Sequence, residues 1–356
     1  MEKKPPGAEI PQLTGMRAMA AFMVYAFHNA SGIAPGNGPI ALLVGQMHIG
    51  VNIFFVLSGF LIPWRYAASM AMERRFWIPY ARNRIARIYP LATLATVFWL
   101  GDSWCREAKI WIKCLTLTKA LFPGQQFIGV PQAWTLTVEE CFYFLVPFLV
   151  IACRGRKPLL WLPILTAIFW SAGLLIYGPT KFMATYTIFG CCFEFFVGMM
   201  LADFTAKVSM TVKAGVRWRT PLGIGGIVAG MYALAACAQW KLPLAAWAAV
   251  NLFFIPASVA LLFYGLIVEK GFLAWLLATP PLIFLGKISY AFYLIHDSDF
   301  DGRFANLGFR LSLRFLLLLA LAALLYLGVE EPLRRLIRGA GKSPLSARTP
   351  PIALRG

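Results

Sequence analysis

Stretches of about twenty apolar residues recur from one end of this 356-residue chain to the other. Twenty residues of α-helix are about 30 Å long, which matches the hydrocarbon core of a bilayer. Hydrophobic residues make up 60% of the chain and charged residues only 13%, about half the share that is usual in soluble domains. Since open strands leave backbone groups unpaired in lipid, the pattern predicts an all-α, polytopic membrane helical bundle.

About ten segments fit transmembrane helices, and Pro or Gly marks several of their ends. The predicted spans cover residues 13–33, 46–65, 88–104, 136–153, 158–178, 184–204, 221–240, 243–268, 281–300 and 309–329. We expect residues 1–338 to form one integral-membrane domain. The segment 339–356 contains three Pro and is predicted to be a disordered cytoplasmic tail.

The distribution of Lys and Arg predicts the orientation of these spans. If the N-terminus is cytoplasmic, 22 Lys and Arg lie on the cytoplasmic side of the membrane and 8 on the opposite side. The positive-inside rule therefore favours both termini in the cytoplasm. Orientation and lipid headgroups also explain the net charge of +18. We accordingly expect membrane lipids, and no nucleic acid, as partners.

The first predicted span contains two ionisable residues, Arg17 and His28. Eleven residues separate them, which is about three helical turns, so both side chains project from one face, roughly 16 Å apart along the axis. Ionisable groups are costly in lipid, so this face must contact protein or a wet cavity. Satisfaction by neighbouring helices, without any function, is the alternative interpretation.

Further polar residues interrupt other spans, and several have ordinary structural interpretations. Ser58 allows close helix approach, Trp134 is typical of the membrane interface, and Glu139 suits a helix start. Tyr290 and His296 lie in the ninth span. Their number argues for function, because a passive bundle has little reason to bury several ionisable groups. A neutral His beside a carboxylate is, moreover, a general base.

The segment 65–87 is predicted to be a cytoplasmic loop with six Arg. The positive-inside rule alone explains such a loop. Arg82, Arg84 and Arg87 also suit a cytoplasmic anion site, because a guanidinium group can bind phosphate through two hydrogen bonds.

The sequence offers no sign of a metal site. Its seven Cys show no metal-binding spacing, although Cys105 and Cys114 share one loop and could pair if that loop is extracytoplasmic. There is also no G-x-S-x-G, no H-E-x-x-H and no P-loop.

Six blocks occur in the order typical of one known family. They are Arg17 and His28 eleven positions apart, Gly50–Ile62, the basic stretch Arg82–Pro90, Trp134–Pro147, Leu285–His296 and Glu330–Arg335. Over residues 13–338 the chain thus resembles the acyltransferase 3 family, membrane-bound bacterial O-acyltransferases of surface polysaccharides, lipopolysaccharide, nodulation factors and macrolides. It departs from the family at Thr14, where Asp is frequent, and at Asn52, where Asp or Glu is frequent.

The resemblance implies a multi-pass O-acyltransferase of the bacterial cytoplasmic (inner) membrane. It would move an acyl group, with acetyl expected, from acetyl-CoA or another acyl-CoA to a hydroxyl of a cell-surface glycan or lipid-linked sugar. It implies no metal.

The resemblance also implies residue roles. His28 would be the general base, Arg17 would orient the donor or a carboxylate, and Glu139 would complete the catalytic set. Residues implied in binding are Arg82, Arg84 and Arg87 for the donor phosphates, and Ser58, Trp134, Tyr290 and His296 for the substrate.

Two other functions fit a polar bundle. A transporter or flippase for a glycan or lipid-linked sugar would also use polar residues near the midplane, although the chain shows no paired broken helices in two matching halves. The second of these functions is that of a catalytically inactive scaffold. The presence of Arg17, His28 and Glu139 argues against it.

Overall fold

The computed structural model describes residues 8–102, 105–207, 217–297 and 299–339. Ten principal helices form the bundle in this part of the chain. They are α1 (Pro11–His28), α2 (Gly50–Tyr66), α3 (Arg74–Asp102), α4 (Trp134–Cys153), α5 (Pro158–Tyr177), α6 (Ile188–Lys207), α7 (Arg219–Gln239), α8 (Ile255–Val268), α9 (Pro280–Ile295) and α10 (Leu311–Leu325).

Shorter helical segments connect or extend the principal helices. They are Ala30–Ile33, Pro39–Val44, Met47–Ile49, Ala108–Leu115, Lys119–Leu121, Pro131–Ala133, Lys181–Tyr186, Leu244–Ala248, Phe272–Leu277, Asp299–Asn306 and the C-terminal helix Glu331–Arg338. Two segments are π-helical: Ala249–Phe254 leads into α8, and Tyr326–Glu330 follows α10.

Seven helical segments of the described residues are long and apolar enough to cross a bilayer. They are Pro39–Tyr66, Pro131–Cys153, Pro158–Tyr177, Lys181–Lys207, Arg219–Gln239, Leu244–Val268 and Leu311–Arg338. The predicted all-α polytopic membrane bundle is therefore confirmed. Helices α1, α3 and α9 lie at the other three predicted spans. The count of ten crossings and the cytoplasmic location of both termini stay predictions, and residues 340–356 of the predicted tail lie outside the described residues.

The predicted loop 65–87 is wrong over most of its length, because α3 begins at Arg74 and continues through Pro79 and Pro90. Aromatic side chains anchor this charged segment on α4: the buried Tyr80 hydroxyl donates a hydrogen bond to the Tyr143 carbonyl oxygen at 2.7 Å, and the centroid of the Trp77 ring lies 5.1 Å from that of the Phe148 ring. The interior face of α3 is thus anchored on α4, while several of its charges face outward.

The connection between α3 and α4 is fixed by the buried side chain of Lys119. Its Nζ donates to the carbonyl oxygen of Ile128 at 2.7 Å and to that of Val130. Burial lowers the pKa of Lys119 to about 8, although the nearby Cys114 acts in the opposite direction. The predicted pairing of Cys105 with Cys114 is wrong, because both thiols are free. The connection is ordered by hydrogen bonds instead, and it leads directly into the start of α4.

Helices at the centre of the bundle approach one another at glycines. A Cβ added to Gly59 of α2 would lie 2.2 Å from the carbonyl oxygen of Phe195 on α6. A Cβ added to Gly286 of α9 would lie 1.9 Å from the carbonyl oxygen of Thr14 on α1. Small residues permit such approach in lipid, where helices associate through packing. Helix α1 consequently packs against both α9 and α2.

The approach of α2 to α6 predicts that Gly59→Ala destabilises the bundle. The added methyl group would overlap a backbone carbonyl, so α6 must shift, and we expect a loss of about 1–3 kcal/mol in unfolding free energy. The thermal unfolding midpoint of the detergent-solubilised protein measures this loss. The control is Gly225→Ala in α7, where an added Cβ has no atom within 4 Å. Equal midpoints for the two variants would contradict the close approach.

Candidate active site

Arg17 and His28 each line a cavity inside the bundle. His28, the last residue of α1, lines a cavity of about 660 Å³, and Arg17 lines one of about 40 Å³. Val51, Phe55 and Tyr293 line both cavities. The two cavities are therefore neighbours, and these three side chains stand between them.

The His28 imidazole lies beside a carboxylate that sequence analysis missed. Its Nδ1 is 3.1 Å from Oδ2 of Asp297, in the turn that follows α9. With Nδ1–H donating to the carboxylate, Nε2 keeps the lone pair that accepts a proton. Both side chains are about one-third exposed or more, at 32% and 41%, so a ligand can reach them. The signal in the sequence was the acidic residue directly after His296.

His296 lies behind this pair rather than on the cavity wall. It is fully buried, and its Nδ1 is 2.8 Å from the carbonyl oxygen of Tyr293. Its ring stacks on Phe292 and meets the His28 ring edge-on, with the two imidazole centroids 5.1 Å apart. The predicted substrate-binding His296 is thus placed where it supports the His28 ring.

Glu139 and Arg17 line the small cavity together. Glu139 accepts hydrogen bonds from the Ser58 hydroxyl at 2.8 Å and the Tyr143 hydroxyl at 3.0 Å. Ser58, predicted to bind substrate, therefore orients this carboxylate. The Arg17 Nε is buried without a hydrogen-bond partner, and no carboxylate of the described residues lies within 4 Å of the guanidinium. Arg17 thus keeps donors available for a ligand.

The three arginines predicted to bind donor phosphates lie within two turns of α3 and do not converge. Arg82 is exposed. The Arg84 guanidinium lies over the rings of Tyr66 and Tyr143, 5.7 and 5.4 Å from their centroids. Arg87 points towards the bundle interior. Only Arg84 therefore combines partial burial with the absence of an ion pair among the described residues.

Arg87 forms an ion pair with Glu330, which is fully buried at the end of the π-helical segment Tyr326–Glu330. The Arg87 guanidinium also lies 5.3 Å from the centroid of the Tyr290 ring. The Tyr290 hydroxyl donates to the carbonyl oxygen of Ile88 at 2.8 Å, and its side chain lines the small cavity. The predicted substrate-binding Tyr290 thus connects the ion pair to the Arg17 cavity.

Glu194 of α6 is a second carboxylate that sequence analysis missed. Its Oε1 accepts a hydrogen bond from Asn52 Nδ2 at 2.9 Å, and the same amide lies 2.8 Å from the carbonyl oxygen of Asn251. Asn52 occupies the position where the resembled family often has an acidic residue. Glu194 supplies a carboxylate at the same place in space. A lone Glu inside the apolar run 184–204 was the available signal.

Oxygen atoms without a hydrogen-bond partner among the described residues line the large cavity. They belong to Gln132, Thr185, Glu194 and Asn251. Trp134, predicted to bind substrate, lines the same cavity and packs edge-on against Tyr186. Amide and carboxylate oxygens only accept hydrogen bonds, and buried acceptors are normally satisfied, so this wall suits a ligand with several hydroxyl groups.

No group of three His, Cys, Asp or Glu in the part of the chain that the structure describes is arranged to hold a metal ion. The polar residues of the site are instead a His–carboxylate pair, a guanidinium–carboxylate cavity and a wall of acceptor oxygens. This set can remove a proton from a hydroxyl and bind a hydroxyl-rich molecule.

Comparison with known proteins gives consistent matches. The chain is 27% identical to Acyltransferase MdmB of Streptomyces mycarofaciens over 327 residues, which cover 81% of this chain and 78% of that protein. It is 27% identical over 176 residues to the Peptidoglycan O-acetyltransferase OatA of Listeria monocytogenes, and 30% identical over 174 residues to the Putative peptidoglycan O-acetyltransferase YrhL of Bacillus subtilis. Each of the latter two matches covers 42% of this chain and 25% of the relative. No solved structure gives a significant match.

The family model described as an acyltransferase domain matches residues 10–329. This range includes the His28–Asp297 pair, both cavities and all ten principal helices. The chain therefore belongs to the acyltransferase 3 family and is a multi-pass membrane O-acyltransferase.

Proposed function

We propose that the protein transfers an acetyl group from acetyl-CoA, or another acyl group from its acyl-CoA, to a hydroxyl of a cell-surface glycan or lipid-linked sugar. It does so in the bacterial cytoplasmic membrane. The observation that carries this proposal is the His28–Asp297 pair at a cavity of about 660 Å³, next to the Arg17 cavity.

The His28–Asp297 pair supplies general-base catalysis. The Nε2 atom of His28 accepts the proton of the acceptor hydroxyl while its oxygen attacks the carbonyl carbon of the thioester. The C–S bond breaks, and the leaving thiolate takes the proton back from the imidazolium. The products are the ester and the free thiol of CoA. Asp297 holds the imidazole in one tautomer and stabilises its cationic form.

Arg17 binds the acyl donor at a point distant from its reacting carbonyl group. It lies roughly 16 Å along α1 from His28, so one acyl carbonyl cannot contact both side chains. Its free donors instead suit the amide carbonyls of the pantetheine arm. The cavity of about 40 Å³ is too small for a sugar, and a pantetheine chain reaches His28 only if Val51, Phe55 and Tyr293, which stand between the two cavities, move aside. Glu139, held by Ser58, balances the guanidinium charge.

The donor enters from the cytoplasmic side in the predicted orientation. Arg82, Arg84 and Arg87 lie on the part of α3 towards that side, and guanidinium groups match phosphate oxygens. Arg87 already pairs with Glu330. Its role is therefore to hold in place the inner end of the route by which the donor reaches His28. Arg82 and Arg84 are available for the phosphates.

The large cavity suits the acceptor. Its volume lies within the usual range of ligand sites, about 300–1,000 Å³. The acceptor oxygens of Gln132, Glu194 and Asn251 match sugar hydroxyls, and Trp134 offers an aromatic face. Two relatives named as peptidoglycan O-acetyltransferases, one of them putative, support a glycan acceptor. In the predicted orientation this cavity lies at the extracytoplasmic end of the bundle.

The first experiment offers labelled acetyl-CoA and candidate glycans, including peptidoglycan fragments, to the purified protein in lipid nanodiscs. We expect a glycan ester that mass spectrometry can locate. Transport of the glycan into vesicles without any ester formation would refute the proposal and favour the transporter alternative.

His28→Ala is expected to lower acetyl transfer by about two to four orders of magnitude, because the proton acceptor is lost. Ester formation per minute measures the effect, and an unchanged unfolding midpoint shows that the variant is folded. Near-normal transfer by His28→Ala would exclude His28 as the base.

Asp297→Asn is expected to lower kcat by about one to two orders of magnitude while KM for both substrates changes less than threefold, since Asp297 acts through His28. Asp297→Glu, which keeps the charge, should recover part of kcat. Steady-state kinetics with both substrates separate these effects. A rise in KM alone would show that Asp297 binds the acceptor and does not position the base.

A further inference from the structure

The cytoplasmic end of the bundle, in the predicted orientation, gathers arginines from three separate elements. Arg65 ends α2, Arg84 lies on α3, and Arg334 and Arg338 belong to the C-terminal helix, which packs along α3. The charge of Arg338 interacts with the charges of the other three. Like charges brought together in this way repel, so the group suits an anionic partner.

The acidic side chains nearby neutralise Arg334 but not the other three arginines of this cluster. Glu331 pairs with Arg334 and with Arg335, whose Nε lies 2.9 Å from Glu331 Oε1. Glu140 interacts with the charge of Arg84 but lies beyond ion-pair distance. Arg65, Arg84 and Arg338 have no ion pair among the described residues. Of the segments outside the described residues, 208–216 and 340–356 contain no Asp or Glu, and 1–7 contains one, Glu2.

Two of these guanidinium groups present unsatisfied donors. The Nε atoms of Arg84 and Arg338 are both buried without a hydrogen-bond partner among the described residues. The Arg84 guanidinium is held in place over the Tyr66 ring, and Asn83 Nδ2 lies 3.4 Å from the Tyr66 hydroxyl. Preorganised guanidinium groups that have no ion pair among the described residues are suited to phosphate oxygens.

We infer that Arg65 and Arg338 join Arg84 at the site for the polyphosphate end of the acyl donor, and that the C-terminal helix completes this site. This inference rests on the proposed function. It assigns a donor-binding role to a helix beyond residues 10–329, the part matched by the family model. Three unpaired guanidinium groups complement the three phosphates of CoA. An anionic lipid headgroup shares this phosphate chemistry and is the rival ligand.

The test measures binding of CoA, which cannot transfer an acyl group, to the full chain in nanodiscs of zwitterionic phosphatidylcholine. Arg338→Ala should weaken CoA binding about tenfold to a hundredfold, as expected for the loss of a charge-assisted hydrogen bond to phosphate. The matched control is Arg335→Ala on the same helix, which is 78% exposed and pairs with Glu331. It should change the Kd less than twofold.

Pantetheine, which lacks the phosphates, provides the second arm. Its affinity should be equal in wild type and Arg338→Ala, because the variant removes only a phosphate contact. Equal CoA affinities for Arg338→Ala and Arg335→Ala would overturn the inference. An effect of Arg338→Ala on CoA binding that is seen only when phosphatidylglycerol is present would also overturn the inference, because it would identify a site for a lipid headgroup. Arg338→Lys keeps the positive charge. Provided that its unfolding midpoint is unchanged, its comparison with Arg338→Ala separates loss of charge from loss of fold.

Failure of this inference is distinguishable from failure of the proposed function. If the wild type transfers acetyl groups and Arg338→Ala binds CoA normally, only the role of the C-terminal helix is refuted. If the wild type binds no CoA and forms no ester, the proposed acyl-CoA donor itself is refuted.

Discussion

The ion pair between Arg87 and Glu330 joins two parts of the chain that lie 243 residues apart. A single charge left alone in a low-dielectric interior costs several kcal/mol, so neither residue is tolerated there without the other. The end of α10 must therefore pack against α3. The π-helical segment Tyr326–Glu330 turns Glu330 inward, and the C-terminal helix that follows is thereby brought alongside α3. One buried pair thus closes the bundle and places the cytoplasmic arginines.

Arg17 and Glu139 interact electrostatically with this pair, so two guanidinium groups and two carboxyl groups lie together in the interior. Glu139 is satisfied by the hydroxyls of Ser58 and Tyr143, which leaves Arg17 with free donors. Such an arrangement stabilises the fold less than direct pairing would, and it keeps one guanidinium ready for a ligand. The ionisable groups then form a path: arginines at one end, Arg17 in the middle, and the His28–Asp297 pair at the other.

The sequence alone was sufficient for the fold class and for the approximate positions of most helices, because apolar length follows directly from bilayer thickness. It misplaced the start of α3, since charge counting cannot detect that Tyr80 packs on α4. It singled out His28 as a candidate general base but did not single out Asp297. The two residues meet only because α1 and α9 pack closely at Gly286, and no local pattern encodes that contact. Glu194 was missed for the same reason: its partner, Asn52, lies on another helix.

Asn52 and Glu194 show what limits residue-by-residue transfer from a resembled family. The acidic residue frequent at position 52 is missing from α2, yet α6 brings a carboxylate to within 2.9 Å of the amide that replaces it. The cavity wall therefore keeps its acceptor oxygen although the motif is altered. Asn251, on the same wall, comes from the other π-helical segment, Ala249–Phe254. Irregular turns of this kind are frequent at functional sites, because they redirect a side chain that a regular helix would turn elsewhere. The chemistry constrains where a polar atom lies in space, and the fold can satisfy that constraint from more than one helix.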